Sequence, residues 1–92
     1  MKYVRLRIHG RVHGVFFRDS AMKKANDLGL FGFVRNDLDG SVYIEVEGEE
    51  ERLGEFVGWC KDGPPMAKVK EIEVEEDSEL QGFKDFRIDK TS

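Results

Sequence analysis

The sequence predicts an α+β domain, an antiparallel sheet with two helices on one face and a short fifth strand. Three observations predict it. Apolar residues alternate with polar ones in three stretches, the mark of half-buried strands, and "LFGFVRN" reads as a fourth strand. In two other stretches they recur at helical spacing. The segments follow one another as βαββαβ, an order that closes around one core.

"KYVRLRIH" opens the pattern. Val4, Leu6 and Ile8 point one way, and Tyr3, Arg5, Arg7 and His9 the other. A glycine-containing loop follows. In "DSAMKKANDLG", Ala21, Ala25 and Leu28 form a helical stripe with Met22 beside it. Asp19 or Ser20 is expected to cap this helix, and Gly29 to end it. "LFGFVRN" is the second strand and "DLDG" a hairpin turn. "SVYIEVE" is the third strand, with Val42, Ile44 and Val46 inward. In "EEERLGEFVGWCKDG", Leu53, Phe56, Val57 and Cys60 fall on one helical face, and "GPP" stops the helix. Gly54 and Gly58 each cost that helix roughly 1 kcal/mol, for which close packing on the sheet offers a reason. "AKVKEIEVEE" is the fourth strand. Its alternation breaks between Val69 and Ile72, which predicts a bulge near Lys70 and Glu71. "FKDFRI" supplies the short last strand. The chain shows neither repeats nor linkers, and its 92 residues read as a single domain, 1–92.

This order is that of the ferredoxin-like plait. In it the first two strands run parallel with the third between them, so their carboxyl ends share one edge of the sheet. The loop at 10–18, the start of the first helix, Arg18 and Asn36 therefore converge there.

Composition narrows the function. With 39% hydrophobic residues and seven Phe, the chain can build one core. A net charge of −4 argues against a nucleic-acid partner. The charge is uneven. Residues 1–36 carry eight Lys and Arg against two Asp, or +6; residues 37–92 carry seven against 17 acidic residues, or −10. A basic region on an acidic chain points to a small anion. Cys60 is the only cysteine, which excludes an internal disulfide and a cysteine metal site. No apolar run approaches the roughly 18 residues of a membrane span, and no signal-peptide pattern is present. A cytoplasmic protein with no membrane partner is expected. Two Asn and one Gln beside abundant Glu, Lys and Arg resemble thermophile composition. Lys68 and Lys70 on an edge strand suggest a protected edge and a monomer.

The loop "HGRVHGVFFR" leaves two readings open. Gly10 and Gly14 permit positive φ and close approach of the backbone to a ligand. Successive N–H groups there can form an anion nest at a helix N-terminus. Arg18 can grip two phosphate oxygens through its planar fork. Phe16 and Phe17 can wall the site, or one can enter the core. The same spacing also suits a tight turn that happens to be basic. Asn36 is similarly double: it can bond the following turn or hold a water at the loop's edge.

Two segments carry a resemblance. "IHGRVHGVFFR" (8–18) resembles the first signature of the acylphosphatase family, and "GFVRNDLDGSVYIEVEG" (32–48) resembles the second. Order and spacing agree over nearly the whole chain. One position departs, with His13 where the family usually has Gln. The resemblance implies hydrolysis of a carboxyl–phosphate anhydride to carboxylate and inorganic phosphate. By it, Arg18 binds the phosphoryl group together with the loop amides of His13, Gly14, Val15, Phe16, Phe17 and Arg18. Asn36 orients the attacking water. The small-molecule acyl phosphate and phosphate are the partners implied. Such a site can be spare. The leaving carboxylate's acid has a pKa near ~4 and departs without a general acid. A loose transition state needs mainly positioning and charge stabilisation. No metal and no cofactor are expected, and no second pocket is evident, so broad tolerance of the acyl group is expected.

Two rivals remain. Plaits of this kind also bind RNA, which would use Tyr3 and Tyr43 as stacking platforms, but Glu45 and Glu47 beside them repel phosphate. Arg5 and Arg7 read more simply as cross-strand partners of those glutamates. The other rival is a non-catalytic acyl-phosphate-binding domain, like those within larger maturation proteins; the length of the chain favours a free enzyme.

Overall fold

A computed structural model describes all 92 residues. The elements are β1 (Lys2–Arg11), α1 (Phe17–Asp27), β2 (Phe31–Asn36), β3 (Val42–Gly48), α2 (Glu50–Cys60), β4 (Lys68–Asp77) and β5 (Phe86–Ile88). They form one sheet in the order β4-β1-β3-β2-β5. β1 is antiparallel to β3 and β4, β2 is antiparallel to β3, and β5 runs parallel to β2. The fold is the ferredoxin-like α+β plait.

The alternation dictates which face the helices cover. Val4, Leu6, Ile8, Val42, Ile44 and Val46 are all buried, and all lie on the helix side. Ala21 and Ala25 of α1 and Leu53, Phe56 and Cys60 of α2 close over them. No helix is long and apolar enough to cross a membrane.

The expected bulge is present. The register of β1 against β4 slips between His9 and Gly10, leaving Lys70 as the extra residue. Gly10, at φ +130°, sits at the slip, and a Cβ there would run into the Lys68 carbonyl. Its role is thus to admit the neighbouring strand, not to approach a ligand.

Three local expectations are corrected. Neither Asp19 nor Ser20 caps α1. The N-cap is Phe16, in a left-handed conformation, with no side-chain cap bond. Gly54 and Gly58 are not packed against the sheet; a Cβ at either would meet nothing within 4 Å. Arg5 does lie opposite Glu45 in the sheet, but the side chains of Arg5 and Arg7 do not bond to Glu45 or Glu47. Arg5 donates to Glu75 of β4 at 2.7 Å, and Arg7 bonds Asp37 beyond the end of β2. Glu45 instead accepts from Tyr3 and Tyr43, at 2.5 and 2.7 Å. Glu47 is buried because the segment before β5 folds over it. It accepts the backbone N–H groups of Gln81 and Phe83, each at 2.7 Å.

That segment changes the open face of the sheet. Phe83 lies against Tyr3 and Phe33, with ring centroids 6.4 and 5.9 Å apart, and Tyr3 is buried. Tyr3 is therefore no platform for a stacked base.

After β5 the chain continues beside β2. The N–H of Asp89 reaches the carbonyl of Val34 at 2.8 Å, and that of Ser92 reaches Asn36 at 3.0 Å. The Leu38 N–H returns a bond to Ser92 at 2.7 Å. The backbone of Asn36 is thereby held from both sides, by β3 and by this tail.

Candidate active site

β1 and β2 are parallel, so their carboxyl ends share an edge, and α1 begins there. A cavity of about 380 Å³ opens at that edge. It is lined by Val12, Gly14, Phe16, Phe17, Arg18, Asp19 and Asn36.

The floor of the cavity is the loop between β1 and α1. Val12 and Val15 are buried and pin it to the core. Gly14 takes φ +71° with open space around it, and Phe16 takes φ +64°. With these two residues in left-handed conformations, the chain turns on itself before entering the helix. The N–H groups of residues 13–18 reach no carbonyl within the chain. Such orphan donors at a helix start form an anion nest with partial positive charge.

Arg18 adds a full charge. Arg5, Arg7, Arg35, Arg52 and Arg87 each have a hydrogen-bond partner within the chain. Arg18, half-buried in the cavity wall, has none. Asp19, exposed in the first turn of α1, complements the helix dipole.

Asn36 ends β2 at the other side of the cavity. Its Oδ1 is buried and has no hydrogen-bond partner. It is the one buried side-chain polar atom in the chain left so. A buried acceptor without a donor costs about 1–3 kcal/mol. That cost is relieved only when a donor, such as a water O–H, reaches the oxygen.

A satisfied network lies alongside. Asp37, the residue after Asn36, is buried between Arg7 and Arg35. Burial alone would raise its carboxyl pKa; the hydrogen bonds from Arg35 and Arg7 outweigh this and hold it below the usual carboxylate range. Both guanidinium groups also sit over Tyr43, 4.8 and 4.6 Å from the ring centroid. Burial, with the hydrogen bond to Glu45, pushes the Tyr43 phenol up to about 12. Ser41 completes the turn. Its carbonyl accepts the N–H of Asp37 at 2.9 Å and faces His13 Nε2 at 2.8 Å. A carbonyl can only accept, so His13 Nε2 carries the proton. The His13 side chain thus ties the loop to the β2–β3 turn.

The acylphosphatase family pattern matches residues 4–88. The acylphosphatase of Thermococcus kodakarensis is 50% identical over 88 residues, covering 91% of this chain and 97% of that protein. The acylphosphatase of Rubrobacter xylanophilus is 47% identical over 87 residues, covering 95% and 79%. The crystal structure of acylphosphatase from Bacillus subtilis superposes with a TM-score of 0.93 at 41% identity, covering 96% of this chain and 98% of that one.

The chain belongs to the acylphosphatase family.

Of the residues that the acylphosphatase signatures point to, Gly14, Phe16, Phe17, Arg18 and Asn36 line one cavity. Val15 contributes main chain only, its side chain being buried in the core. His13 turns its ring away, to Ser41. The two phenylalanines divide. Phe17 is buried against Trp59, with ring centroids 5.5 Å apart, whereas Phe16 is 69% exposed. Sequence reasoning missed Asp37, reading it only as a turn residue. Its available signal was one Asp next to Asn36, with Arg7 and Arg35 on strands that end at the same edge.

Proposed function

We propose that this cavity is where the chain, an acylphosphatase, hydrolyses the carboxyl–phosphate bond of small acyl phosphates. The reading is supported above all by one observation. Unpaired loop amides, an unpaired Arg18 and Asn36, with its unpaired Oδ1, come together at the one sheet edge where the cavity opens.

In this reading the phosphoryl oxygens rest on the amides of residues 13–18, and Arg18 bridges two of them through its fork. Charge that builds on these oxygens in a loose transition state meets donors already in place. Asn36 Oδ1 accepts a hydrogen from water, which leaves an oxygen lone pair aimed at phosphorus, in line with the departing carboxylate. The water adds to phosphorus as the P–O bond to the acyl group breaks. The products are a carboxylate and inorganic phosphate, and the proton released ends on phosphate or solvent. The carboxylate needs no acid to leave, because its conjugate acid has a pKa near ~4. In this reading the amides and Arg18 supply the charge stabilisation, and neither metal nor cofactor takes part. We place residues 1–92 in one domain that works as a monomer on dissolved substrate in the cytoplasm.

The test is turnover of acetyl phosphate after exhaustive dialysis against EDTA, with inorganic phosphate as inhibitor. The expected result is undiminished hydrolysis and competitive inhibition. Lost activity that a divalent metal restores would overturn the metal-free mechanism. Phosphate binding without any turnover would favour a non-catalytic binding domain.

A further inference from the structure

Phe16 is out of place by every ordinary criterion. It is the only residue other than glycine with positive φ in the chain. At φ +64° and ψ +27° its backbone is left-handed, a conformation that suits glycine and disfavours a side chain as large as phenylalanine. The side chain gains no core packing in return, for Phe16 is 69% exposed and is the only aromatic residue among the exposed large hydrophobic ones. Phe17, its neighbour, supplies the core contact instead. Nor does Phe16 cap α1 with a side-chain bond. Backbone strain held at a cavity's rim is a common feature of functional sites.

The ring does have one defined neighbourhood: the cavity that also holds Gly14, Arg18 and Asn36. The left-handed turn does two things together. It leaves the loop amides unpaired, and it stands the Phe16 ring at the cavity's rim. A phosphoryl group seated on those amides has its acyl substituent leading outward. Phe16 and Val12 are the apolar side chains of the lining that can meet that substituent, since Phe17 is in the core. Val12 is itself buried, which leaves the Phe16 ring as the accessible apolar surface.

We propose that Phe16 is a specificity-determining residue whose ring receives the acyl part of the substrate and favours apolar, above all aromatic, acyl phosphates. This rests on the placement of the phosphoryl group given above and adds to it. The phosphate end is recognised by amides and charge, which are blind to the acyl group. The acyl end is selected by one exposed ring. The expectation of broad tolerance is thereby narrowed: small acyl groups are accepted, and flat apolar ones are preferred.

The experiment compares kcat/KM for benzoyl phosphate and acetyl phosphate in the parent chain and in Phe16→Gly, Phe16→Asn and Phe16→Tyr. Asn tolerates the left-handed turn and Tyr keeps the ring. The benzoyl-to-acetyl ratio is expected to fall about tenfold in the Gly and Asn variants, the discrimination that a modest apolar contact supplies, and to stay within about twofold of the parent in the Tyr variant. Phe16→Gly should melt no lower than the parent, since it relieves a strained position. A ratio that is unchanged in both the Gly and the Asn variants would overturn the inference. So would a ratio that falls as far in the Tyr variant. Inhibition of the parent by inorganic phosphate separates the two layers. If phosphate competes while the ratio never moves, only the role of Phe16 fails. If phosphate does not compete, the cradle fails, and the role of Phe16 with it.

Discussion

Arg7 and Arg18 serve neighbouring regions of the same molecule and are treated in opposite ways. Arg7 donates to Asp37 and, at 3.3 Å, to Ser41 Oγ, and its guanidinium rests over Tyr43. Asp37 receives Arg35 as well, at 2.8 Å, so charge and hydrogen bonds are matched. Arg18 has no partner, the amides before it have none, and the acceptor across the cavity has none. The first region is complete by itself; the second is left with free donors and a free acceptor, which the proposed phosphoryl group and water would meet. Buried polar groups are ordinarily paired, because an unpaired one costs free energy. A region that leaves Asn36 Oδ1 buried and unpaired, beside loop amides and a guanidinium without partners, is thus a candidate site. A region that obeys it is marked as support.

The comparison is broken most easily at Arg18. Arg18→Ala should lower kcat/KM for an acyl phosphate by about 10²–10³-fold, the loss of a charged donor from a preorganised site. Its melting temperature should match the parent's, because nothing in the chain leans on that side chain. Arg7→Ala should instead lose about 1–3 kcal/mol of stability, as Asp37 stays buried with one partner fewer. Chemical denaturation of both variants, alongside their kinetics, distinguishes the two roles. Equal losses of stability would dissolve the contrast.

Asn36→Ala should lower kcat by about 10²-fold through the lost positioning of water, with inhibition by phosphate nearly unchanged. A parallel loss of phosphate affinity would move Asn36 into the cradle. Full activity would reduce it to a turn residue.

The smallest effect concerns pH and the satisfied region. Arg35 and Arg7 hold the Asp37 carboxyl below its usual range. A carboxyl lowered in the folded state contributes stability above its unfolded pKa, near ~4, and loses it as pH falls through the folded value. The melting temperature should therefore drop on acidification below about pH 4, and Asp37→Asn should make that drop shallower. An acid limb of unchanged steepness would show that Asp37 is not among the carboxylates that set it.

Much of this was legible in the sequence, for reasons that differ by region. Val4, Leu6 and Ile8 declared the buried face of the first strand, and the break between Val69 and Ile72 declared the bulge, because burial and pleat act residue by residue. Topology then brought Arg18 and Asn36 to one edge. What stayed hidden depends on partners far apart in sequence. Arg7 and Glu45 offer no local sign that one will turn to Asp37 and the other to two tyrosines. Glu47 looked exposed until residues 81–83 folded over it. Gly54 and Gly58 suggested close packing and found open space. The choice between Phe16 and Phe17 for the core was likewise closed only by the left-handed turn at Phe16, a conformation that glycine advertises and phenylalanine conceals.

The central claim is that the unpaired amides of residues 13–18 bind the phosphoryl group. Titrating the ¹⁵N-labelled chain with inorganic phosphate while following its backbone amide resonances tests it most directly. The amides of His13 to Arg18 should shift together along one saturable curve, with the Asn36 side chain following and the Arg7–Asp37 region still. Saturable shifts confined to α2 or β4, with the loop unmoved, would contradict the account.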